Sequence, residues 1–139
     1  MRGKLTKEKL YLLEEAGYSK KAIELYESKV NIGVMKSPHV VFTYTDTCGG
    51  VIKLYLKIEE NSIIEDAKFQ CSGYPCAALS ASAITKIAKG KTIEDTKKIT
   101  ADDVLKELGR LSESKLAVKT LRKTITKYNE KIHHENDSP

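Results

Sequence analysis

The sequence predicts an α+β fold, with a three-stranded antiparallel sheet and helices packed on one of its faces. Three short segments rich in β-branched and aromatic residues, 40–45, 51–58 and 63–70, follow one another with only turns between them. The middle segment alternates, so its isoleucines and leucines share one face and its lysines the other. Every signal after these strands is helical, so we expect helices to cover the apolar face.

Two helices are predicted ahead of the sheet. Thr6 can cap the first, over 6–16, and Ser19 can cap a second that ends near Lys29. The loop that follows contains Gly33 and a proline, which both break regular structure.

Four helical segments are predicted after the sheet. The first, 76–89, consists of small and apolar residues, and a glycine closes it. Thr92 and Thr100 each precede an aspartate by three residues, a pattern that resembles a capping box. Thr92 is expected to begin a short helical turn, and Thr100 a helix over 101–108. The last helix is predicted over 113–132 from apolar residues spaced three and four apart.

The length of 139 residues suits one domain, so we expect residues 1–139 to form a single unit. Within it, 6–16 is an additional N-terminal helix and 133–139 is expected to be a frayed tail. No apolar run is long enough to cross a membrane and no signal peptide is evident, so we expect a cytoplasmic protein.

The net charge of +5 leaves an acidic protein surface or nucleic acid as conceivable partners. The lysines are spread along the chain and interleaved with glutamate, a pattern more typical of solvated helix surfaces, so nucleic acid is the weaker expectation. A homo-oligomer is compatible with the sequence. There is no Ser/His/Asp set and no phosphate-binding glycine motif, so we do not expect an enzyme.

Three cysteines are the residues best suited to chemistry. Cys48 lies in a turn before two glycines, Cys71 ends the third strand, and Cys76 begins a helix whose dipole lowers a thiol pKa. Converging thiolates select zinc, copper(I) or iron–sulfur clusters. The plainer alternative is that these are buried cysteines without chemistry, because free cysteine is among the most buried residue types.

A fourth ligand is not evident from the sequence. His39, Asp46 and Glu113 are candidates, although each is predicted to be a surface group. His133 and His134 lie in the predicted tail, which would make a poor specific site.

Several stretches resemble the IscU/NifU-type iron–sulfur cluster assembly scaffolds, in the same order and with few gaps over about residues 18–128. They are Tyr18-Ser19-Lys20-Lys21, Asn31-Ile32-Gly33, Cys48-Gly49-Gly50-Val51-Ile52-Lys53-Leu54, Ile63-Ile64-Glu65-Asp66-Ala67-Lys68-Phe69 with Gly73, Lys89-Gly90-Lys91-Thr92-Ile93-Glu94-Asp95, and Leu116-Ala117-Val118-Lys119-Thr120-Leu121-Arg122-Lys123-Thr124-Ile125. The resemblance implies a scaffold that assembles a 2Fe–2S cluster and passes it to recipient apoproteins. It also implies a cysteine desulfurase as the sulfur source.

The family's ligands, three cysteines and an aspartate, are only partly present. Cys48 matches the first cysteine, but Gly50 stands where the aspartate is expected and Tyr74 where the second cysteine is expected. The His-Cys segment before the last helix is absent, because 112–115 has neither residue.

Two hypotheses follow from this departure. In the first, Cys71 and Cys76 flank the vacated position and, with Cys48, form a relocated site for a 2Fe–2S cluster or iron, with zinc as a substitute. In the second, the chain is a cluster-free paralogue that serves as an adaptor or regulatory subunit. Two cysteines beside one lost position favour the first.

Overall fold

The computed structural model describes residues 6–29, 31–45, 50–72 and 76–137, and of Cys76 and 134–137 it describes the backbone alone. The elements in chain order are α1 (Lys7–Glu15), α2 (Lys20–Ser28), β1 (Val40–Thr45), β2 (Val51–Ile58), β3 (Ile64–Ser72), α3 (Cys76–Ala88), α4 (Ile93–Thr96), α5 (Ala101–Leu108) and α6 (Leu111–Asp137). None of the helices described is both long and apolar enough to cross a bilayer.

The sheet has the predicted antiparallel order β1-β2-β3. Thr45 pairs with Val51 at one end of the β1–β2 ladder, and Val51 pairs in turn with Ser72 of β3. The first two strands have the predicted bounds, and the third runs two residues past its predicted end. Cys71 therefore lies within β3 and its position relative to the other strands is fixed by the ladder.

One face of the sheet is covered by helices, as predicted. Leu54, Leu56 and Phe69 have no exposed surface, because α3 packs on β3 and β2 while α6 packs on α3. Residues 80–83 of α3 are small and buried, which lets α3 approach its neighbours closely.

The helix starts confirm the capping predictions. The side chains of Thr6, Ser19 and Thr92 each accept a backbone N–H from the first helical turn. The capping box at Thr100 is complete, since Asp103 also accepts the backbone N–H of Thr100 at 2.9 Å. These bonds satisfy N–H groups that a helix start otherwise leaves unpaired.

Two predicted details of the helices are wrong. The last helix spans Leu111–Asp137 rather than 113–132, so most of the expected tail is helical. The reason is that no glycine or proline interrupts the chain before Pro139. The spacing of Leu10, Leu13 and Ala16 predicts an apolar stripe on α1, but only Leu13 is buried and Leu10 is 36% exposed.

Candidate metal centre

Cys71 lies on the helix-covered face of the sheet, near the end of β3. It is paired with Ile52 across the ladder and stands two residues after the buried Phe69. Its side chain is half-buried and packs against the core, and it is a thiol rather than half of a disulfide. A half-buried thiol on this face can bind an ion while leaving the ion reachable from solvent.

Gly50 brings the strand after Cys48 against two other segments. A Cβ built on Gly50 would lie 3.5 Å from the Ala77 Cβ and 3.7 Å from the Ser72 carbonyl oxygen. The chain two residues after Cys48 therefore meets the end of β3 and the first turn of α3. Each of these neighbours is directly next to a cysteine in the sequence.

The described residues do not test the predicted shared site directly. Cys71 is described in full, Cys76 is the first residue of α3 but its side chain is not described, and Cys48 lies outside the described residues. Convergence of the three sulfurs therefore remains a prediction. Within the described part of the chain, no three His, Cys, Asp or Glu side chains gather into a metal-binding group.

The start of α3 is electrostatically suited to a thiolate. Its first turn contains no acidic side chain, so nothing there offsets the positive end of the helix dipole. A helix N-terminus lowers the pKa of a cysteine thiol.

His39 is not a ligand of this site. Its Nδ1 accepts the backbone N–H of Ile58 at 2.9 Å, at the opposite end of the sheet. Ile52, the partner of Cys71, is six residues from Ile58 along β2, a span of about 20 Å. His39 is a surface residue, as predicted, but the distance removes it from the candidate ligands.

Glu113 is buried, and the prediction of a surface group is wrong. Its carboxylate accepts Arg110 Nε at 3.0 Å and the Ser112 hydroxyl at 2.9 Å, which compensates the buried charge. Its backbone oxygen accepts the Ser80 hydroxyl at 3.0 Å. Ser80 is one helical turn after Cys76, so Glu113 is about 6 Å along α3 from the start of that helix.

The remaining positions of the expected ligand set are not all described. Asp46 and Tyr74 lie outside the described residues. Residues 112–115, where the resemblance placed a His-Cys segment, belong to the first turn of α6. Sequence reasoning missed the burial of Glu113; the arginine three residues earlier was the available signal.

The family model for the NifU-like N-terminal domain matches residues 17–135, which span the described strands and the helices from α2 to near the end of α6. The chain belongs to this family. The iron–sulfur cluster assembly scaffold protein IscU of Rickettsia prowazekii is 35% identical over 129 residues, covering 87% of this chain and 98% of the relative. IscU 1 of Archaeoglobus fulgidus is 38% identical over 117 residues, covering 80% of this chain and 76% of the relative.

Two solved structures share the fold. The N-terminal NifU-like protein of Brucella abortus superposes with a TM-score of 0.68 at 17% identity, covering 86% of this chain and 99% of that one. A putative scaffold protein for the SUF system from Fervidobacterium islandicum gives a TM-score of 0.65 at 18% identity, covering 80% and 98%. At these identities the likeness establishes the fold, and the family assignment depends on the sequence matches.

Proposed function

We propose that this chain is an iron–sulfur cluster assembly scaffold that holds its cluster on Cys48, Cys71 and Cys76. The cluster is cargo: it is built on the chain and then passed to a recipient apoprotein, and the chain has no catalytic residues of its own. The supporting observation is the position of Gly50 against Ser72 and Ala77, which brings together the three segments that carry the cysteines.

The donor chemistry fits a 2Fe–2S cluster or iron. Cysteine thiolates are the usual ligands of iron–sulfur clusters, and zinc can occupy the same thiolates. Cys71 is half-buried rather than enclosed. A cluster held at such a position stays accessible, which suits a protein that must release it.

The fourth ligand we propose is the carboxylate of Glu113. The Glu113 backbone oxygen accepts the Ser80 hydroxyl one turn beyond Cys76, so residue 113 lies beside α3, and an oxygen ligand from its side chain would complete a set of four. The Glu113 carboxylate is paired with Arg110 Nε at 3.0 Å, so it would have to break this ion pair in order to bind the metal. Glu113→Gln should therefore lower the iron retained after desalting, whereas Glu107→Gln, which alters another ion-paired carboxylate, should not.

Two partner classes follow from the proposed function. A cysteine desulfurase would supply sulfur, and recipient apoproteins would take the finished cluster. The named scaffolds among the relatives support this class of partner and not a particular protein.

The alternative is a cluster-free member of the family that acts as an adaptor. The observation that favours it is Gly50, which places no carboxylate beside Ala77 and Ser72. An adaptor would bind the same partners without holding iron.

Anaerobic reconstitution separates the two functions. The purified chain is incubated with ferrous iron, cysteine and a desulfurase, desalted, and assayed for iron and acid-labile sulfide per chain. Cys76→Ser should abolish stoichiometric binding, because one of only three thiolates is lost, and Cys71→Ser should weaken it. Ser72→Ala changes the exposed neighbour of Cys71 and should leave binding unchanged.

The double variant Gly50→Asp with Tyr74→Cys supplies the opposite test. It rebuilds the family's ligand types around Cys48, and it should add little if the site is already complete. Absence of iron from the original chain, together with binding by the double variant, would establish the adaptor function instead. Transfer of the cluster from the loaded chain to an apo-ferredoxin, followed by absorption spectroscopy, tests the scaffold function itself.

A further inference from the structure

Helix α6 carries a row of lysines at intervals of four residues, which we call the lysine row. Its members are Lys115, Lys119, Lys123, Lys127 and Lys131. All five side chains are exposed. Because four residues advance a helix by slightly more than one turn, the row winds gradually around α6.

The lysine row is not neutralised by the helix that carries it. Between Lys115 and Lys131, Glu130 is the only acidic residue, and Arg122 adds a further positive charge. Among the described residues, none of the ion pairs includes a member of the row. Like charges four residues apart destabilise a helix, so the spacing is unfavourable for α6 alone.

The C-terminal part of the row reaches the outer edge of β1. Lys127 Nζ donates to the Val41 carbonyl oxygen at 2.6 Å, and Lys131 Nζ donates to the His39 carbonyl oxygen at 3.1 Å. Four helical residues advance about 6 Å and two strand residues about 6.8 Å. The spacing of lysines along α6 therefore matches the spacing of outward-facing carbonyl groups along β1.

The outer edge of β1 is open beyond these contacts. The strand order is β1-β2-β3, so no described strand pairs with this side of β1. Backbone groups on one edge recur every second residue, which places those of Thr43 and Thr45 on the same side as Val41. The side chains of Thr43 and Thr45 are exposed. An edge of this kind presents unpaired N–H and C=O groups to a partner chain.

Two more lysines lie on the face of the sheet opposite the helices. Thr43 is paired with Lys53, and Tyr55, next on that face, is paired with Lys68. Neither lysine forms an ion pair with a described residue. Lys53 therefore adds a positive charge on the strand next to the β1 edge that Lys127 and Lys131 reach.

We propose that the lysine row and the adjoining outer edge of β1 dock an acidic polypeptide segment of a partner protein. The segment would place carboxylates against the row, and its backbone would pair with the β1 edge beyond Val41. This docking does not require a bound cluster, so it goes beyond the proposed scaffold function and can fail independently of it.

A polypeptide fits this surface better than a nucleic acid. The alternating N–H and C=O groups of a strand edge match another peptide backbone, and phosphates offer acceptors only. Single-stranded nucleic acids also use exposed aromatic rings for stacking. Tyr55, on the sheet face opposite the helices, is only 5% exposed. Its hydroxyl donates a hydrogen bond to Gln70 Oε1 at 2.6 Å.

The test uses the full apo chain and defined probes. Fluorescence anisotropy measures binding of a labelled peptide of alternating glutamate and threonine. A peptide of alternating lysine and threonine, a duplex DNA of matched charge, and vesicles containing phosphatidylserine are measured under the same conditions. We expect the acidic peptide to bind most tightly, with affinity that falls as salt is raised.

Two variants with equal charge changes locate the binding. Lys119→Glu with Lys123→Glu reverses the middle of the lysine row, and Lys7→Glu with Lys9→Glu reverses two exposed lysines of α1. We expect the first to weaken acidic-peptide binding by about tenfold or more and the second to have little effect. Circular dichroism checks that both variants are folded.

Three results would overturn the proposal. Equal losses in the two variants would mean that net charge alone attracts the peptide. Tighter binding of DNA, or of the anionic vesicles, would assign the surface to a different class of partner. Undetectable binding of the acidic peptide at low salt would remove the docking surface, and it would leave the cluster measurements unaffected.

Discussion

The two ends of the sheet are built differently. At one end, which we call the closed end, the start of β3 is tied to the chain after α3. The Ile64 N–H donates to the Lys91 carbonyl at 2.9 Å, and the Gly90 N–H donates to the Ile64 carbonyl at 2.8 Å. The turn between β2 and β3 is also hydrogen-bonded to the chain after α3, since the Ile93 N–H donates to the Ser62 carbonyl at 2.9 Å.

At the other end, which we call the site end, the start of β2 lies beside the end of β3 and the first turn of α3. Gly50 lies against Ala77 and Ser72 at distances that leave room for a side chain. Cys71 is half-buried there, whereas Ile64 at the closed end has no exposed surface.

Because the two ends differ, the stability of the fold does not depend on which ligand residues stand at the site end. Backbone hydrogen bonds at the closed end hold β3 and α3 together whatever side chains stand at the site end. Ligand residues at the site end can then change without loss of the fold. This explains how a chain with Gly50 and Tyr74 at two expected ligand positions keeps the family's architecture.

The largest effect is expected from Ile64→Ala at the closed end. Removing a fully buried isoleucine should lower the free energy of unfolding by about 2–5 kcal/mol. Urea denaturation followed by circular dichroism measures the change. Val51→Ala, which truncates a half-buried side chain at the site end, is the matched control and should cost clearly less. Equal costs would mean that the ends do not differ in this way.

A glycine remote from the site end should also be intolerant of change. Gly109 has φ +78°, and a Cβ there would lie 2.9 Å from the Gly17 carbonyl oxygen and 3.0 Å from the Ser19 nitrogen. Gly109→Ala should therefore lower the free energy of unfolding by about 1–3 kcal/mol, through strain and the displaced backbone. Thermal and urea unfolding both report it. An unchanged midpoint would contradict the close packing of α2 on α5.

Gly50 at the site end should behave in the opposite way. Its φ lies outside the left-handed region, and its added Cβ would meet Ala77 at an ordinary 3.5 Å. Gly50→Ala should leave stability unchanged or raise it by about 0.4–1 kcal/mol, because the unfolded chain loses freedom. The same urea experiment measures this. A loss as large as that of Gly109→Ala would show that the site end is as tightly packed as the rest.

The smallest effect concerns pH, away from both ends. Backbone and side-chain hydrogen bonds from Thr100 hold the pKa of Asp103 below its usual value of 3.8. A lowered folded pKa means that this stabilisation is present above the unfolded pKa and is lost as pH falls through the folded pKa. Asp103→Asn should therefore reduce the decline of stability below about pH 4. Urea midpoints across the acid range measure it, and an identical decline in both proteins would contradict it.

Much of the fold was predictable because its signals are local. The alternation within 51–58 gave the middle strand, and the Thr100 capping box gave the start of α5. The burial of Glu113 was predictable only in part: Arg110 three residues earlier is a local signal, but the contact with Ser80 of another helix is not.

The candidate site was predictable in residue type more than in geometry. A cysteine at a helix start and another at a strand end identify metal-binding side chains. The contact of Gly50 with Ala77, however, depends on how the hairpin packs on α3. The exclusion of His39 likewise required the strand register, which places it beside Ile58.

The central claim is that Cys48, Cys71 and Cys76 bind one metal centre. X-ray absorption of the stoichiometric zinc-loaded chain counts its sulfur ligands directly, because zinc–thiolate distances of about 2.3 Å are distinct from those to nitrogen and oxygen. We expect three sulfur ligands, falling to two in Cys71→Ser. One sulfur ligand or none in the original chain, or failure to bind a stoichiometric zinc ion at all, would contradict the relocated site.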